Sequence, residues 1–220
     1  MRCIVTGAAG FIGSHLVDRL VKEGHQVLAL DNFATGSKKN LKISANKIQI
    51  ERADIRNFKQ LKRISFFKNV EWVFHLAGLA DIVPSINKPL EYFESNVKGT
   101  LNILEICKNK KLKKFIYAAS ASCYGIPKRF PTNENASIDL QYPYALSKFQ
   151  GEELVMHWAK VYKMPNLSLR FFNVYGPRSR TSGAYGAMFG VFLSQMMNKY
   201  PLTIVGNGKQ TRDFIYISDV

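Results

Sequence analysis

Gly7-Ala8-Ala9-Gly10-Phe11-Ile12-Gly13 is the stretch that decides the fold. The apolar run at 3–6 before it reads as a strand. Residues 11–22 after it read as a helix that buries Ile12, Leu16 and Leu20. Glycines between a strand and a helix allow a tight turn, close approach of a pyrophosphate to backbone N–H groups, and close helix–strand packing. The next strand, 26–30, ends at Asp31-Asn32. A carboxylate there accepts hydrogen bonds from both ribose hydroxyls of an adenosine, and its charge repels a 2′-phosphate, which favours NAD over NADP. The spacing from Gly7 to Asp31 fits a dinucleotide-binding unit.

Outward from this start, strand-length apolar runs alternate with stretches of helical period. Strands are expected at 47–51, 71–76, 115–119 and 167–172, and helices at 58–67, 89–108 and 144–162. That alternation predicts an α/β protein with a doubly wound parallel sheet. A polar loop spans 125–141. After Gly176-Pro177 come a loop of Arg, Ser and Gly, an apolar helix near 184–198 and a short strand at 202–205. The expected division is a dinucleotide-binding domain over 1–175 and part of a second domain over 176–220. The chain stops in apolar text at Ser218-Asp219-Val220, so the natural protein is expected to continue.

With 220 residues, 46% hydrophobic and 21% charged, the chain has ordinary globular composition, which excludes disorder, collagen-like repeats and coiled coil. No apolar run is long enough for a membrane span, and MRCIVTGAAG lacks the regions of a signal peptide. Cys3, Cys107 and Cys123 are too few and too scattered for a disulfide framework or a zinc site. They read as reduced, buried residues of a cytoplasmic protein, and no metal is expected. The 31 basic and 16 acidic residues leave +15. An anionic partner is one reading. Lysine clusters at 38–39 and 108–114 lack interleaved aromatics, however, so a solvated surface is the expectation, with no nucleic acid.

Two further segments carry chemistry. The fourth strand ends His75-Leu76-Ala77-Gly78, small residues that let the backbone pass close to a cofactor, with His75 expected as a satisfied core histidine. Asp54 and Ile55 follow the third strand, where they could take the adenine amino group and face, although Asp54 alone reads as a loop cap. The other segment is Tyr144-Ala145-Leu146-Ser147-Lys148, downstream of Ser120 and Ser122 at the end of the fifth strand. At i and i+4, Tyr144 and Lys148 share a helix face. Half-ionising a phenol at pH 7 requires a shift of about three units, roughly 4 kcal/mol. A neighbouring ammonium and a cationic nicotinamide ring both push in that direction. The phenolate is then a general base for a sugar or alcohol hydroxyl, and Ser120 can hydrogen-bond the same oxygen.

GAAGFIG, DNFATG, DIRN, HLAGLADIVPS, SNVKGT, AASASCYG, YPYALSK, RFFNVYGPR and GKQTRDFIYISDV together resemble the extended short-chain dehydrogenase/reductase family, the NAD-dependent sugar-nucleotide epimerases and dehydratases. The pieces occur in the family's order over essentially the whole chain. The resemblance implies a Rossmann-type domain and a smaller C-terminal substrate domain. It implies a catalytic group of Ser120, Tyr144 and Lys148. As NAD contacts it implies Gly7, Gly10, Phe11, Ile12, Asp31, Asn32, Asp54, Ile55, Leu76, Ala77, Gly78, Asn96, Tyr144, Lys148 and Phe172. Ser120, Ser122, Tyr144, Asn173, Arg178 and Arg212 are implied toward a UDP-sugar, with Arg212 on the diphosphate and with Arg178 and 187–189 as weaker candidates. Helices 89–108 and 144–162 resemble those that pair in the family's homodimers, and Trp158 and Tyr162 add apolar surface to them.

Epimerases, 4,6-dehydratases and UDP-glucuronate decarboxylases share the first step, loss of hydrogen from the sugar C4 and its hydroxyl. In the family, dehydratases carry Asp-Glu just after the catalytic hydroxyl residue, and decarboxylases carry a Glu where Ser122 stands. This chain has Ala121 and Ser122 there, and a hydroxyl cannot act as a carboxylic acid at pH 7. The expectation is therefore NAD-dependent epimerisation at C4 of a UDP-hexose or its N-acetyl form. Dehydratase or decarboxylase chemistry is the alternative. A non-catalytic NAD- or RNA-binding protein on the same fold is the distant one.

Overall fold

The structure is a computed structural model that describes residues 1–179, 188–204 and 206–220. It divides into two compact units, Met1–Phe171 and Phe172–Val220.

In the first unit six parallel strands form one sheet: β1 (Arg2–Thr6), β2 (Gln26–Asp31), β3 (Gln49–Arg52), β4 (Trp72–His75), β5 (Lys114–Ser120) and β6 (Asn166–Phe171). Their spatial order is β3-β2-β1-β4-β5-β6. This is the doubly wound, Rossmann-like arrangement. The winding reverses between β1 and β4, where the carboxyl ends of the strands open a crevice for a ligand. Alternate side chains point to opposite faces. Ile4, Leu28, Leu30, Val73, Phe115 and Tyr117 join one buried cluster, while Cys3, Val5, Val27 and Ala29 join the other.

Helix α1 (Phe11–Lys22) starts where expected and buries Val17 and Leu20 against the second cluster. The expected helix at 58–67 is shorter: α2 (Phe58–Lys62) ends before Ile64, which is extended, and a separate 3₁₀ turn covers Ser65–Asn69. A short α3 (Ile82–Asn87) was not foreseen; six residues with Pro84 in the first turn give little periodic signal. The expected helix at 89–108 runs as α4 (Pro89–Tyr92), a π-helical segment Phe93–Lys98, and α5 (Gly99–Cys107). Helix α6 (Pro143–Tyr162) follows the loop, with Pro143 in its first turn.

The second unit pairs β7 (Asn173–Tyr175) with β8 (Phe214–Tyr216) in parallel, and contains α7 (Met188–Met197). Tyr175 packs on Phe189 and Tyr216 at centroid distances of 4.9 and 5.2 Å. This pairing moves the boundary from the expected 175 to Phe171, because Asn173–Tyr175 belongs with Phe214–Tyr216. The strand expected at 202–205 is not formed over 202–204, and Val205 lies outside the described residues. There the Gln195 side chain takes the backbone donor a strand partner would use: Thr203 N–H donates to its Oε1 at 3.2 Å, while its Nε2 donates to the Thr203 side-chain Oγ1 at 2.7 Å. Residues 184–187 of the helix expected at 184–198 also lie outside the described residues.

Candidate active site

On the β1–β2 side the site is built from backbone. Gly7 has φ +68°, and a Cβ there would lie 2.8 Å from Ala77 N and 2.9 Å from the Leu76 carbonyl carbon. Only glycine lets the turn after β1 approach the end of β4 this closely. Gly10 N–H donates to the Gly7 carbonyl at 3.1 Å, and α1 begins with Phe11 and Ile12. Asp31, buried at the end of β2, accepts hydrogen bonds from Ala9 N–H at 2.9 Å and Phe33 N–H at 2.7 Å. Two anchored oxygens still have lone pairs for a pair of ribose hydroxyls. These residues fit the adenosine and pyrophosphate of a dinucleotide.

Asp54 and Ile55 fit less well. Arg56 binds the Asp54 carboxylate through Nη2 at 2.7 Å and Nε at 3.0 Å, and Asn32 Nδ2 donates to it at 3.1 Å. The Arg56 side chain holds the Asp54 carboxyl down at about 2. A carboxylate so occupied acts as a loop cap, and an adenine amino group would have to displace Arg56. Ile55 is a core residue, with Cδ1 where a Cβ on Gly99 would lie 2.5 Å away.

On the β4–β6 side the site is built from buried polar side chains. Asn96, in the π-helical segment, accepts from Leu79 N–H at 2.8 Å and donates to Ser147 Oγ at 3.0 Å. A Cβ on Gly78 would sit 2.8 Å from Asn96 Oδ1 and 3.8 Å from Lys148 Nζ, so Gly78, Asn96 and Lys148 come together. Lys148 Nζ lies 4.2 Å over the Tyr117 ring. Burial pulls the Lys148 ammonium down to about 7, and the Glu152 charge opposes that. Burial raises the Tyr144 phenol above its ordinary value, while the neighbouring hydroxyls of Ser120 and Ser122 pull it back, Ser122 Oγ closing no hydrogen bond among the described residues. Ser120 Oγ also accepts from Ser122 N–H at 3.2 Å, capping the 3₁₀ turn Ala121–Tyr124. The structure thus brings together Ser120, Ser122 and Tyr144, and separately Gly78, Asn96 and Lys148.

His75 is the satisfied core residue expected, and its partners fix its tautomer. Thr100 Oγ1 donates to the Asn96 carbonyl at 2.6 Å, so at 3.0 Å it accepts from His75 Nε2. His75 Nδ1 then accepts from Thr6 Oγ1 at 2.7 Å, and Thr6 accepts from Ala77 N–H at 3.1 Å. Burial and the nearby Lys148 charge hold the ring neutral, with its proton affinity down at about 3. Sequence reading missed Thr6, Thr100, Ser147 and Glu152. Glu152, four residues beyond Lys148, is the one that helical spacing could have found.

Phe172, Asn173, Arg178 and Arg212 belong to the second unit. Asn173 Nδ2 donates to the Asp213 carbonyl at 2.9 Å, Arg178 has φ +66°, and Arg212 Nη1 donates to the Thr211 carbonyl at 2.7 Å. Of the stretch 187–189, Phe189 lies in α7 and Ala187 is outside the described residues. Among the described residues, no cluster of three or more His, Cys, Asp or Glu could hold a metal ion. No described helix is long and apolar enough to cross a membrane.

Known proteins share this arrangement. The chain is 39% identical over 218 residues to a putative UDP-glucose 4-epimerase of Methanocaldococcus jannaschii, covering 99% of this chain and 70% of that one. It is 35% identical to a UDP-N-acetyl-alpha-D-glucosaminuronate decarboxylase of Bacillus cytotoxicus, over 99% of this chain and 68% of that one. Its structure matches that of a UDP-glucose 4-epimerase of Thermotoga maritima, solved with UDP-glucose, with a TM-score of 0.93 and 33% identity. That match covers 100% of this chain and 70% of that one. Residues 3–220 match one family along their length, and the chain belongs to it: the NAD dependent epimerase/dehydratase family.

Proposed function

We propose that the protein epimerises a UDP-hexose, or its N-acetyl form, at C4 through a transient 4-keto sugar. The observation that carries this reading is the set of hydroxyls at the end of β5. Ser120 and Ser122 act on the Tyr144 phenol, one helical turn from Lys148, and Ala121 and Ser122 supply no carboxyl group.

NAD, when bound, supplies the hydride acceptor and a cationic ring next to the sugar. Gly7, Gly10, Phe11 and Ile12 would take its pyrophosphate, Asp31 with Asn32 its adenosine ribose, and Leu76, Ala77, Gly78 and Asn96 the far half. Tyr144 then accepts the proton of the sugar 4-hydroxyl. In the free chain burial works against this step, because it favours the neutral phenol. Hydroxyl donation by Ser120, with the Ser122 hydroxyl beside it and the Lys148 ammonium, lowers the cost of the phenolate. Lys148 titrates near 7, so at neutral pH a large fraction of it carries that charge. Once the 4-keto sugar turns over, Tyr144 returns the proton and the sugar leaves inverted at C4. On motif position alone, the proposal extends to Phe172 beside the nicotinamide and to Asn173, Arg178 and Arg212 toward the UDP-sugar.

The similarity to a decarboxylase keeps one second reading in view. Ser122 weighs against it, since a hydroxyl cannot act as a carboxylic acid. Retention of Tyr144 and Lys148 weighs against a non-catalytic nucleotide-binding role. The proposal includes a homodimer through helices 89–108 and 144–162, supported by exposed Leu90, Met156, Val161 and Tyr162. It also places the protein in the cytoplasm, in keeping with three free, buried cysteines. Proton NMR of the protein with UDP-glucose or UDP-N-acetylglucosamine and catalytic NAD tests the reaction. Galacto-configured anomeric signals without NADH build-up are expected. A 4-keto-6-deoxy product from UDP-glucose, or a pentose from UDP-glucuronate, contradicts the assignment.

A further inference from the structure

Behind the catalytic group lies an ion pair that the chemistry above does not use. Glu152 follows Lys148 by one turn of α6 and is only 7% exposed. Arg170 on β6 binds its carboxylate through Nη2 at 2.8 Å and through Nε at 3.0 and 3.1 Å to the two oxygens. The same guanidinium donates through Nη1 to the Tyr124 hydroxyl at 2.8 Å and to the Glu134 carbonyl at 3.3 Å. Tyr124 closes the 3₁₀ turn that contains Ser122 and is capped by Ser120. One partly buried cation therefore ties three segments together: the helix of Tyr144 and Lys148, the serine turn, and the loop after it. An ion pair withdrawn from water gains little stability over apolar residues of the same volume, so the place of this partly buried one points to a role in alignment.

Its charge matters as well. Around Lys148 stand Glu152 from its own helix, the Tyr117 ring from β5, neutral His75 from β4 and Asn96 from the π-helical segment, with Tyr144 one turn back along α6. In that setting the Glu152 carboxylate favours the ammonium form. We propose that Glu152, clamped by Arg170, is a positioning residue that locks the Tyr144–Lys148 helix onto the Ser120–Ser122 turn and helps to keep Lys148 charged. This rests on the reading of Tyr144 and Lys148 as catalytic.

The test follows Lys148 directly by NMR of the full chain labelled in its lysine side chains, alongside the pH dependence of epimerisation of UDP-glucose. In Glu152→Gln the lone Arg170 charge remains, so the Lys148 titration is expected to fall by about one unit. The high-pH limb of kcat should fall with it, kcat should drop about tenfold, and KM should hold within about twofold. In the double variant Glu152→Gln/Arg170→Gln both charges are gone. The Lys148 titration then stays below its original place but falls less than in Glu152→Gln, while kcat stays low because the helix and the turn are no longer tied. An unchanged Lys148 titration in Glu152→Gln overturns the electrostatic half. Full kcat in the double variant overturns the alignment half, and the double variant decides alone if Glu152→Gln does not fold. If the unmodified protein turns over no UDP-sugar, the functional reading fails, and the Lys148 titration still judges the pair.

Discussion

The two sides of the β1–β4 crevice are made of different materials. On the β1–β2 side, positive φ at Gly7, close backbone contact with Leu76 and Ala77, and one carboxylate held by two backbone N–H groups form a cradle. On the β4–β6 side, Thr6, His75, Thr100, Asn96 and Ser147 form buried hydrogen-bonded contacts beneath Tyr144 and Lys148. A backbone cradle needs the absence of side chains and tolerates few changes of shape. A side-chain network needs every partner satisfied and is sensitive to protonation. The same contrast separates binding from chemistry, so perturbing either side should leave the other largely intact.

The sharpest break is acid. The folded His75 titrates near 3 and an unfolded histidine near 6.5, so between those values the unfolded chain binds the extra proton. The His75 contribution is fully present above about pH 6.5 and is lost as pH falls toward 3, on the order of 5 kcal/mol in total. Urea melts across this window should show a steeper acid loss for the native protein than for His75→Gln. Parallel curves would place the sensitivity elsewhere.

Next, Tyr144→Phe should cut turnover at least a hundredfold, about 3 kcal/mol of transition-state stabilisation, while NAD stays bound. Turnover near normal would remove Tyr144 as the base. On the opposite side, Gly7→Ala forces a Cβ into backbone at positive φ, and should cost about 2 kcal/mol of stability together with NAD affinity. An unchanged melting temperature with normal NAD affinity would contradict the close approach. The smallest effect is Asp31→Ala, which should reduce the preference for NAD over NADP by roughly tenfold. Binding titrations with both cofactors check it, and an unchanged ratio refutes the role of Asp31.

The same contrast explains what the sequence made legible. The Gly7–Gly13 turn, Asp31 and the alternating apolar runs are local signals, and five of the six strands lie within about one residue of expectation at either end, β3 alone starting later than read. The Tyr144–Lys148 pair was legible because one helix sets its spacing. The Thr6–His75–Thr100–Asn96 relay was not, because its members are neighbours only once β1, β4 and the π-helical segment pack. The π-helical segment Phe93–Lys98 itself shows no break in the apolar stripe. Asp54 shows the converse. Motif position assigned it to adenine, while Arg56, two residues on, occupies its carboxylate. In the second unit, the Asn173–Tyr175 and Phe214–Tyr216 pairing joins runs some forty residues apart, and short strands of that kind carry little periodic signal.

The central claim, redox-neutral inversion at C4, is tested most directly with UDP-glucose deuterated at C4, in ordinary water with catalytic NAD. The account predicts UDP-galactose with the deuterium retained at C4, because the hydrogen that leaves that carbon returns to its other face. Loss of the label to solvent, or its appearance at another carbon, would contradict it.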